Sequence, residues 1–235
     1  MGIFQAIVDL VTSATNYLYY ITEVIGIPSY ALAIILLTLL LKLALFPLTQ
    51  KQMKSMRSMQ RLQPKLKEIQ EKYKQKDPKK MQELTMQMYK DNNVNPLAGC
   101  LPLLIQMPIL IALFKALLEF DFKDPEHAGF LWITNLSHTD PFYVLPVLAG
   151  VTTFMQAKLT TSMADQTQRM LLYLMPVFII WISATVPSGL VLYWIVFNLA
   201  GFAQQYYVNQ QPTPDIKEVV PGSEEKSRRK SRKNS

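Results

Sequence analysis

The stretch ALAIILLTLLLKLALFPL, residues 31–48, decides the fold of this chain. It is interrupted only by Thr38, Lys42 and Pro47, and an apolar run of roughly 18 residues is the mark of a membrane-spanning helix. Immediately downstream the composition inverts. Residues 50–95 hold 12 basic residues and five acidic ones, and a basic block that follows a span belongs on the cytoplasmic side. Its apolar positions Met53, Met56, Met59, Leu62, Leu66, Ile69 and Tyr73 advance by three or four, as a helix with one apolar face requires. Asp77-Pro78 then supplies an N-cap and a first-turn proline, and Met81, Leu84 and Met88 continue the period in a second helix. The result is a cytoplasmic helical hairpin over 50–95, with a kink expected at Pro64. Its methionine-rich stripe is either the seam of the hairpin or an adaptable surface that captures varied apolar partners.

Upstream, Ile3, Phe4, Ile7, Val8, Val11 and Leu18 recur at helical spacing, with Asp9, Thr12, Ser13 and Asn16 between them. Residues 1–27 therefore read as an amphipathic helix lying in a membrane interface. No Lys or Arg precedes Lys42, so the basic n-region of a secretory signal is missing and no cleavage is expected. Beyond the hairpin, four further spans fall at 96–118, 141–157, 170–185 and 189–207. Between the first two of these, residues 119–140 carry five acidic side chains and the aromatics Phe120, Phe122, Phe130 and Trp132, the composition of an outward-facing loop at headgroup level. With the first span at 28–49 the core covers 28–208, and the charged, proline-containing residues 209–235 read as a disordered basic cytoplasmic tail. Counting sides alternately puts the N-terminus outside, the C-terminus in the cytoplasm and every basic connection in the cytoplasm. That is a multi-pass protein of a bacterial plasma membrane.

Charged residues make up 17% of the 235, against about 25% in soluble domains, so a soluble globular enzyme is excluded. The net charge of +7 reports topology before it reports partners. A lone cysteine, Cys100, leaves no intramolecular disulfide framework and no multi-cysteine metal site.

Lys42 is the sharpest residue. Translocon scales place a basic side chain at a helix centre roughly 2.5 to 3.5 kcal/mol uphill. Snorkelling towards the hairpin is one answer, but the path from Lys42 to Gln50 is about 12 Å at ~1.5 Å per residue, beyond the reach of a lysine. The other answer is a water-filled, protein-lined recess, with Thr38 one turn away on the same face. Trp194, Asn198, Gly201 and Gln205 form one stripe on the fifth span. Thr152 and Gln156 share a face of the third, and Gln106 and Ser183 come from the second and fourth. Ordinary interhelical hydrogen bonds, worth ~0.6 kcal/mol per pair, account for any one of them. Their recurrence on four spans, with a cation on the first, favours a shared hydrophilic cavity.

Catalytic inventories come up empty. There is no His-Glu-x-x-His, Gly-x-Ser-x-Gly or Walker loop, and His127 and His138 are too few for a metal site. Five spans with unlike connections do not divide into the paired repeats typical of transporters. In the tail, Arg228, Arg229, Lys230, Arg232 and Lys233 form a polycation that suits ribosomal RNA or anionic lipid, or simply marks the cytoplasmic side.

Five blocks, in order, carry a family resemblance: LQPK (62–65), NVNPLAGCLPLLIQMPILIALF (93–114), DPFYVLPVLAGVTTFMQ (140–156), Met175-Pro176 and PSGLVLYWIVFNL (187–199). Over residues 20–208 the chain resembles the YidC/Oxa/Alb membrane protein insertases, in the short form without a large periplasmic domain. The resemblance implies an all-α polytopic protein with five transmembrane helices around a hydrophilic groove, open to cytoplasm and lipid and closed outside. It implies a basic residue inside the groove, at the position of Lys42, where the family usually has arginine. Lysine keeps the charge but loses the bidentate fork. The expected function is insertion and chaperoning of nascent membrane proteins, without a cofactor or small-molecule substrate, in contact with the lipid bilayer and with ribosome and general secretion channel as further partners. The alternative is a non-inserting assembly factor that folds or docks proteins already inserted.

Overall fold

The computed structural model describes residues 2–95, 101–118, 122, 124–161 and 166–212. Among these residues the chain forms eight α-helices and no strand, as the sequence leads one to expect. Helix α1 (Gly2–Val24) is followed by α2 (Tyr30–Ala44), α3 (Phe46–Tyr73), α4 (Pro78–Asp91), α5 (Leu101–Leu118), α6 (Val144–Thr160), α7 (Gln166–Ser183) and α8 (Ser188–Gln210).

Local chemistry sets the boundaries. Gly26 takes φ +83° to turn the chain out of α1, and the Ser29 hydroxyl caps α2 by accepting from the Leu32 N–H at 3.3 Å. At Leu45 the chain bends by 67° between α2 and α3. Pro47 lies just inside α3, where its missing N–H costs nothing and its ring breaks the continuous helix that 28–49 was expected to form. The sharp bend is thus at Leu45, while α3 runs through Pro64 as one helix. Asp77 caps α4, accepting from the Lys80 N–H at 3.0 Å.

The hairpin closes on Leu62, Leu66, Met88 and Val94, with Met59, Ile69 and Tyr89 packed against them. Leu84 and Met53 are also buried and Met81 is half-buried, so much of the apolar stripe is used internally. Met56, and Met59 in part, also face a different neighbour. With Gln60, Gln63, Thr160, Thr161, Gln168 and Leu171 they line a cavity of about 330 Å³ between α3 and the ends of α6 and α7.

Two cores hold the helices together. One joins α1, α2, α5 and α8 through Val8, Val11, Leu18, Tyr30, Ile34, Leu37, Leu113, Leu117 and Tyr193. The α1 stripe expected to lie in an interface therefore packs in large part on protein, while Leu10, Tyr17, Tyr20 and Val24 remain exposed. Buried Thr15 and Thr22 turn their hydroxyls back onto Val11 and Tyr19 carbonyls, which lets α1 bury that face. The second core joins α6, α7 and α8 through Leu145, Ala149, Ile179, Val191 and Ile195.

The loop before α6 is pinned by two polar clusters. Tyr19 stacks on Tyr30 at 3.9 Å and donates its hydroxyl to Asp124 at 2.8 Å. The single phenolic proton is then committed, so the 2.7 Å contact with His127 requires a proton on Nδ1. Burial first, and then the Asp124 bond, raise the Tyr19 phenol far above its ordinary pKa. Asp140 accepts from the Leu145 N–H (2.7 Å), the Trp132 indole (2.8 Å) and the Phe142 N–H (3.0 Å). Burial alone would raise its pKa, but these donors outweigh burial and hold it below the usual carboxylate range. Such a group stabilises the fold above its unfolded pKa, and that contribution disappears as pH falls through the depressed folded value.

Among the described residues no single helix is both long and apolar enough to cross a membrane, although the bent pair α2–α3 passes by length and composition. What the helices do present is a broad apolar exterior. Met170, Leu171, Tyr173, Leu174, Val177, Phe178 and Trp181 on α7 and Val147, Leu148 and Val151 on α6 are all exposed. An exposed apolar surface this continuous requires an apolar surrounding.

Candidate substrate groove

Lys42 sits in the last turn of α2, three residues from the bend. That distance, about 4.5 Å at ~1.5 Å per residue, would permit snorkelling, contrary to the longer path expected from a span ending near residue 49. The side chain lies instead against α8. Lys42 is 7% exposed, and its ammonium lies 3.4 Å from the centroid of the Phe197 ring on α8, a cation–π contact across the α2–α8 interface. It has no hydrogen-bond or ion-pair partner among the described residues.

Gly201, one turn along α8 from Phe197, makes the room. A Cβ there would stand 3.1 Å from Lys42 Nζ and 2.5 Å from Gln156 Nε2. The ammonium of α2 and the amide of α6 therefore share the space above one glycine of α8. Of the residues expected around Lys42, the amide of Gln156 and the glycine at 201 are thus brought to it directly.

The next turns of α6 and α8 are tied by hydrogen bonds. Asn198 donates to Thr153 at 2.8 Å and to Thr152 at 3.4 Å, and the Trp194 indole donates to Thr153 at 3.1 Å. Thr152 also donates back to the Leu148 carbonyl at 2.9 Å. These residues hold the interface together, and interhelical bonding accounts for them. Gln106 on α5 donates to the Tyr193 hydroxyl on α8 at 2.6 Å. Thr38 is fully buried and donates to the Ile34 carbonyl at 2.7 Å, so it offers Lys42 a neighbour on the same face but keeps its proton on its own helix. Ser183 is not part of the cluster. It ends α7 a short turn before α8 begins, and Gly201 lies about 20 Å farther along α8 at ~1.5 Å per residue.

Towards the hairpin, α3 and α8 are joined by a polar seam. Gln204 donates to Thr49 at 3.0 Å, and the Arg57 guanidinium donates to the Val208 and Gln211 carbonyls at 2.7 and 2.6 Å, satisfying the orphan end of α8. Gln205 is buried on the same stretch. Phe197, Thr153, Tyr193, Thr49, Gln52 and Arg57 were not among the expected site residues. Apart from Gln52, their partners lie on other helices, and periodicity within one helix carries no signal for them. The tail residues Arg228, Arg229, Lys230, Arg232 and Lys233 lie outside the described residues, as do Cys100 and residues 96–100 of the second expected span.

The family model described as 60Kd inner membrane protein matches residues 20–215. Relatives include the membrane protein insertase YidC of Geotalea uraniireducens (strain Rf4), 44% identical over 210 residues, which cover 89% of this chain and 38% of the relative. Membrane protein insertase YidC 1 of Listeria monocytogenes serotype 4b (strain F2365) is 46% identical over 189 residues, covering 77% of this chain and 64% of its own length. An active YidC insertase crystal structure with the first transmembrane domain resolved superposes with a TM-score of 0.69 at 30% identity, over 88% of this chain and 47% of that one. The chain thus spans between about two fifths and two thirds of the length of these relatives.

Proposed function

We propose, because this chain belongs to the YidC/Oxa/Alb family described as 60Kd inner membrane protein, that it moves hydrophobic segments of nascent proteins from the cytoplasm into the bilayer. The observation that carries this reading is Lys42: a buried cation with no anion beside it among the described residues, set against a shared polar space, in a molecule whose α6 and α7 present an apolar exterior. A desolvated charge kept in such a place is costly and calls for a functional reason. In this reading the hydrophilic flank of the substrate enters between α3 and α8 and is held transiently near Lys42 and Gln156. Its apolar stretch leaves along α5 and the exposed face of α7. Burial of apolar side chains in lipid supplies the driving force, at ~25 cal/mol per Å², and the protein lowers the barrier for the flank without covalent chemistry.

Liposomes containing this protein alone, challenged with a small ribosome-free single-span substrate, are expected to insert it. Failure there, with assembly of pre-inserted substrates preserved, leaves the non-inserting assembly role. The proposal places the N-terminus outside and the hairpin in the cytoplasm. In a Cys100→Ser background, a cysteine at exposed Glu126 should react with an impermeant thiol reagent from outside intact cells, and one at exposed Lys76 only after permeabilisation.

The basic tail completes the reading as an electrostatic contact with the ribosome, and the general secretion channel is a further proposed partner. Truncation after Gln211 is expected to leave insertion of short substrates intact and to weaken ribosome co-sedimentation, with the difference shrinking as salt rises. Equal co-sedimentation at low salt would reduce the tail to a topology signal.

A further inference from the structure

Two buried amides in the α3–α8 seam are left incomplete. Gln205 is 1% exposed; its Nε2 donates to Asn209 at 2.9 Å, while its Oε1 has no partner among the described residues. Gln52 is 5% exposed, and its Nε2 likewise has none among them. Buried polar atoms are bonded in the large majority of cases, so each exception requires an explanation. These two share a setting. Thr49, one turn before Gln52 on α3, is tied to Gln204 on α8, and Arg57, beyond Gln52, is tied to Val208 and Gln211. Gln52 and Gln205 therefore fall between the two ties of one seam, on the hairpin side of Lys42.

The two unpaired groups are complementary in kind. One is an acceptor, the other a donor, and neither carries charge. A peptide group offers the matching pair, an N–H to give and a C=O to receive. We infer that Gln52 and Gln205 form a clamp for the main chain of the incoming polypeptide as it passes between α3 and α8 towards Lys42. The inference rests on the insertase reading and adds to it a mode of recognition. Main-chain groups are common to every substrate, so a clamp of this kind holds flanks of any sequence, and Lys42 is left to act on charge. Access requires α3 to part from α8. The bend at Leu45 supplies a pivot, and the bonds of Thr49 and Arg57 can be exchanged for bonds to water.

The test uses the full-length protein in liposomes and a synthetic single-span peptide with a Gly/Ser flank, made with free amides or with alternate flank amides N-methylated. The parent is expected to insert the free form about fivefold faster. Gln205→Leu, lacking the acceptor, should bring that ratio to about one. Gln52→Leu should slow both forms and preserve the ratio, because the carbonyls it serves are present in each. Thermal midpoints of Gln205→Leu and Gln205→Met should be no lower than the parent's. A parent that does not distinguish the two forms, or a ratio unchanged in Gln205→Leu, overturns the clamp. So does a loss of midpoint in both Gln205 variants, which would assign the Gln205 carbonyl to a structural water. A parent that inserts neither form overturns the insertase reading itself.

Discussion

Lys42→Leu is expected to lower insertion of substrates with acidic flanks at least tenfold while leaving the thermal midpoint in detergent at or above the parent's. The two halves of this expectation have different causes. At about 4 Å and an effective dielectric near 20, a unit charge pair is worth roughly 4 kcal/mol, and water in the groove reduces that figure. A tenfold loss corresponds to about 1.4 kcal/mol of barrier, well inside this range. Stability responds to other terms. Leucine removes the cost of holding a desolvated ammonium and forfeits the contact with Phe197, worth about 0.5–2 kcal/mol. Those terms are of opposite sign, and the first, roughly 2.5 to 3.5 kcal/mol at a helix centre, is the larger. Lys42→Arg should retain insertion, because the charge stays, and Lys42→Glu should be the weakest variant on acidic flanks. Measuring insertion and midpoint on the same preparations separates the possibilities. Parental insertion by Lys42→Leu would mean that the cation has no role in transport. A joint loss of insertion and stability would make Lys42 a packing element.

The outline of the fold was legible because apolar period and length are properties of single segments. Residues 31–48 and the alternation of apolar and basic blocks lead directly to an all-helical molecule with a hairpin after the first long apolar run. The boundaries were less legible. Pro47 and Pro64 look alike in sequence, yet the sharp bend lies at Leu45, next to the first, and α3 continues through the second. A proline's effect depends on what satisfies the carbonyl it frees, and that partner comes from tertiary structure. The site divides in the same way. Lys42 and the α8 stripe stand out as polar interruptions in apolar runs. Phe197 and Thr153 do not, because an aromatic or a threonine in a span is unremarkable until the helix opposite is known. Ser183 shows the converse: polarity in a span drew attention to a residue whose depth along the helix keeps it away from the cation.

Gly150 and Gly201 both sit inside helices, where glycine costs about 1 kcal/mol relative to alanine, and alanine at the two positions should have opposite consequences. A Cβ at Gly150 would stand 2.7 Å from Ile180 Cδ1 and 3.1 Å from the Pro176 carbonyl oxygen. Isoleucine is stiff and branched, and the carbonyl is backbone, so α6 and α7 must separate. Overpacking of this kind typically costs 1–3 kcal/mol, enough to outweigh the gain in helix propensity, and Gly150→Leu should be far worse. At Gly201 the three atoms nearest the Cβ are Gln156 Nε2 and Cδ and Lys42 Nζ. The amide group and the ammonium end flexible side chains that can swing aside. Gly201→Ala should therefore keep or raise the thermal midpoint, yet push the ammonium and the amide out of the space they share and slow insertion of acidic-flanked substrates severalfold. Gly150→Ala should lower the midpoint, and its insertion rate, corrected for folded protein, should stay near the parent's. If both variants lose stability equally, the room above Gly201 is a packing requirement. If Gly201→Ala inserts at the parental rate, the position of the Lys42 ammonium does not govern the barrier, and the substrate must meet the cation elsewhere along its reach.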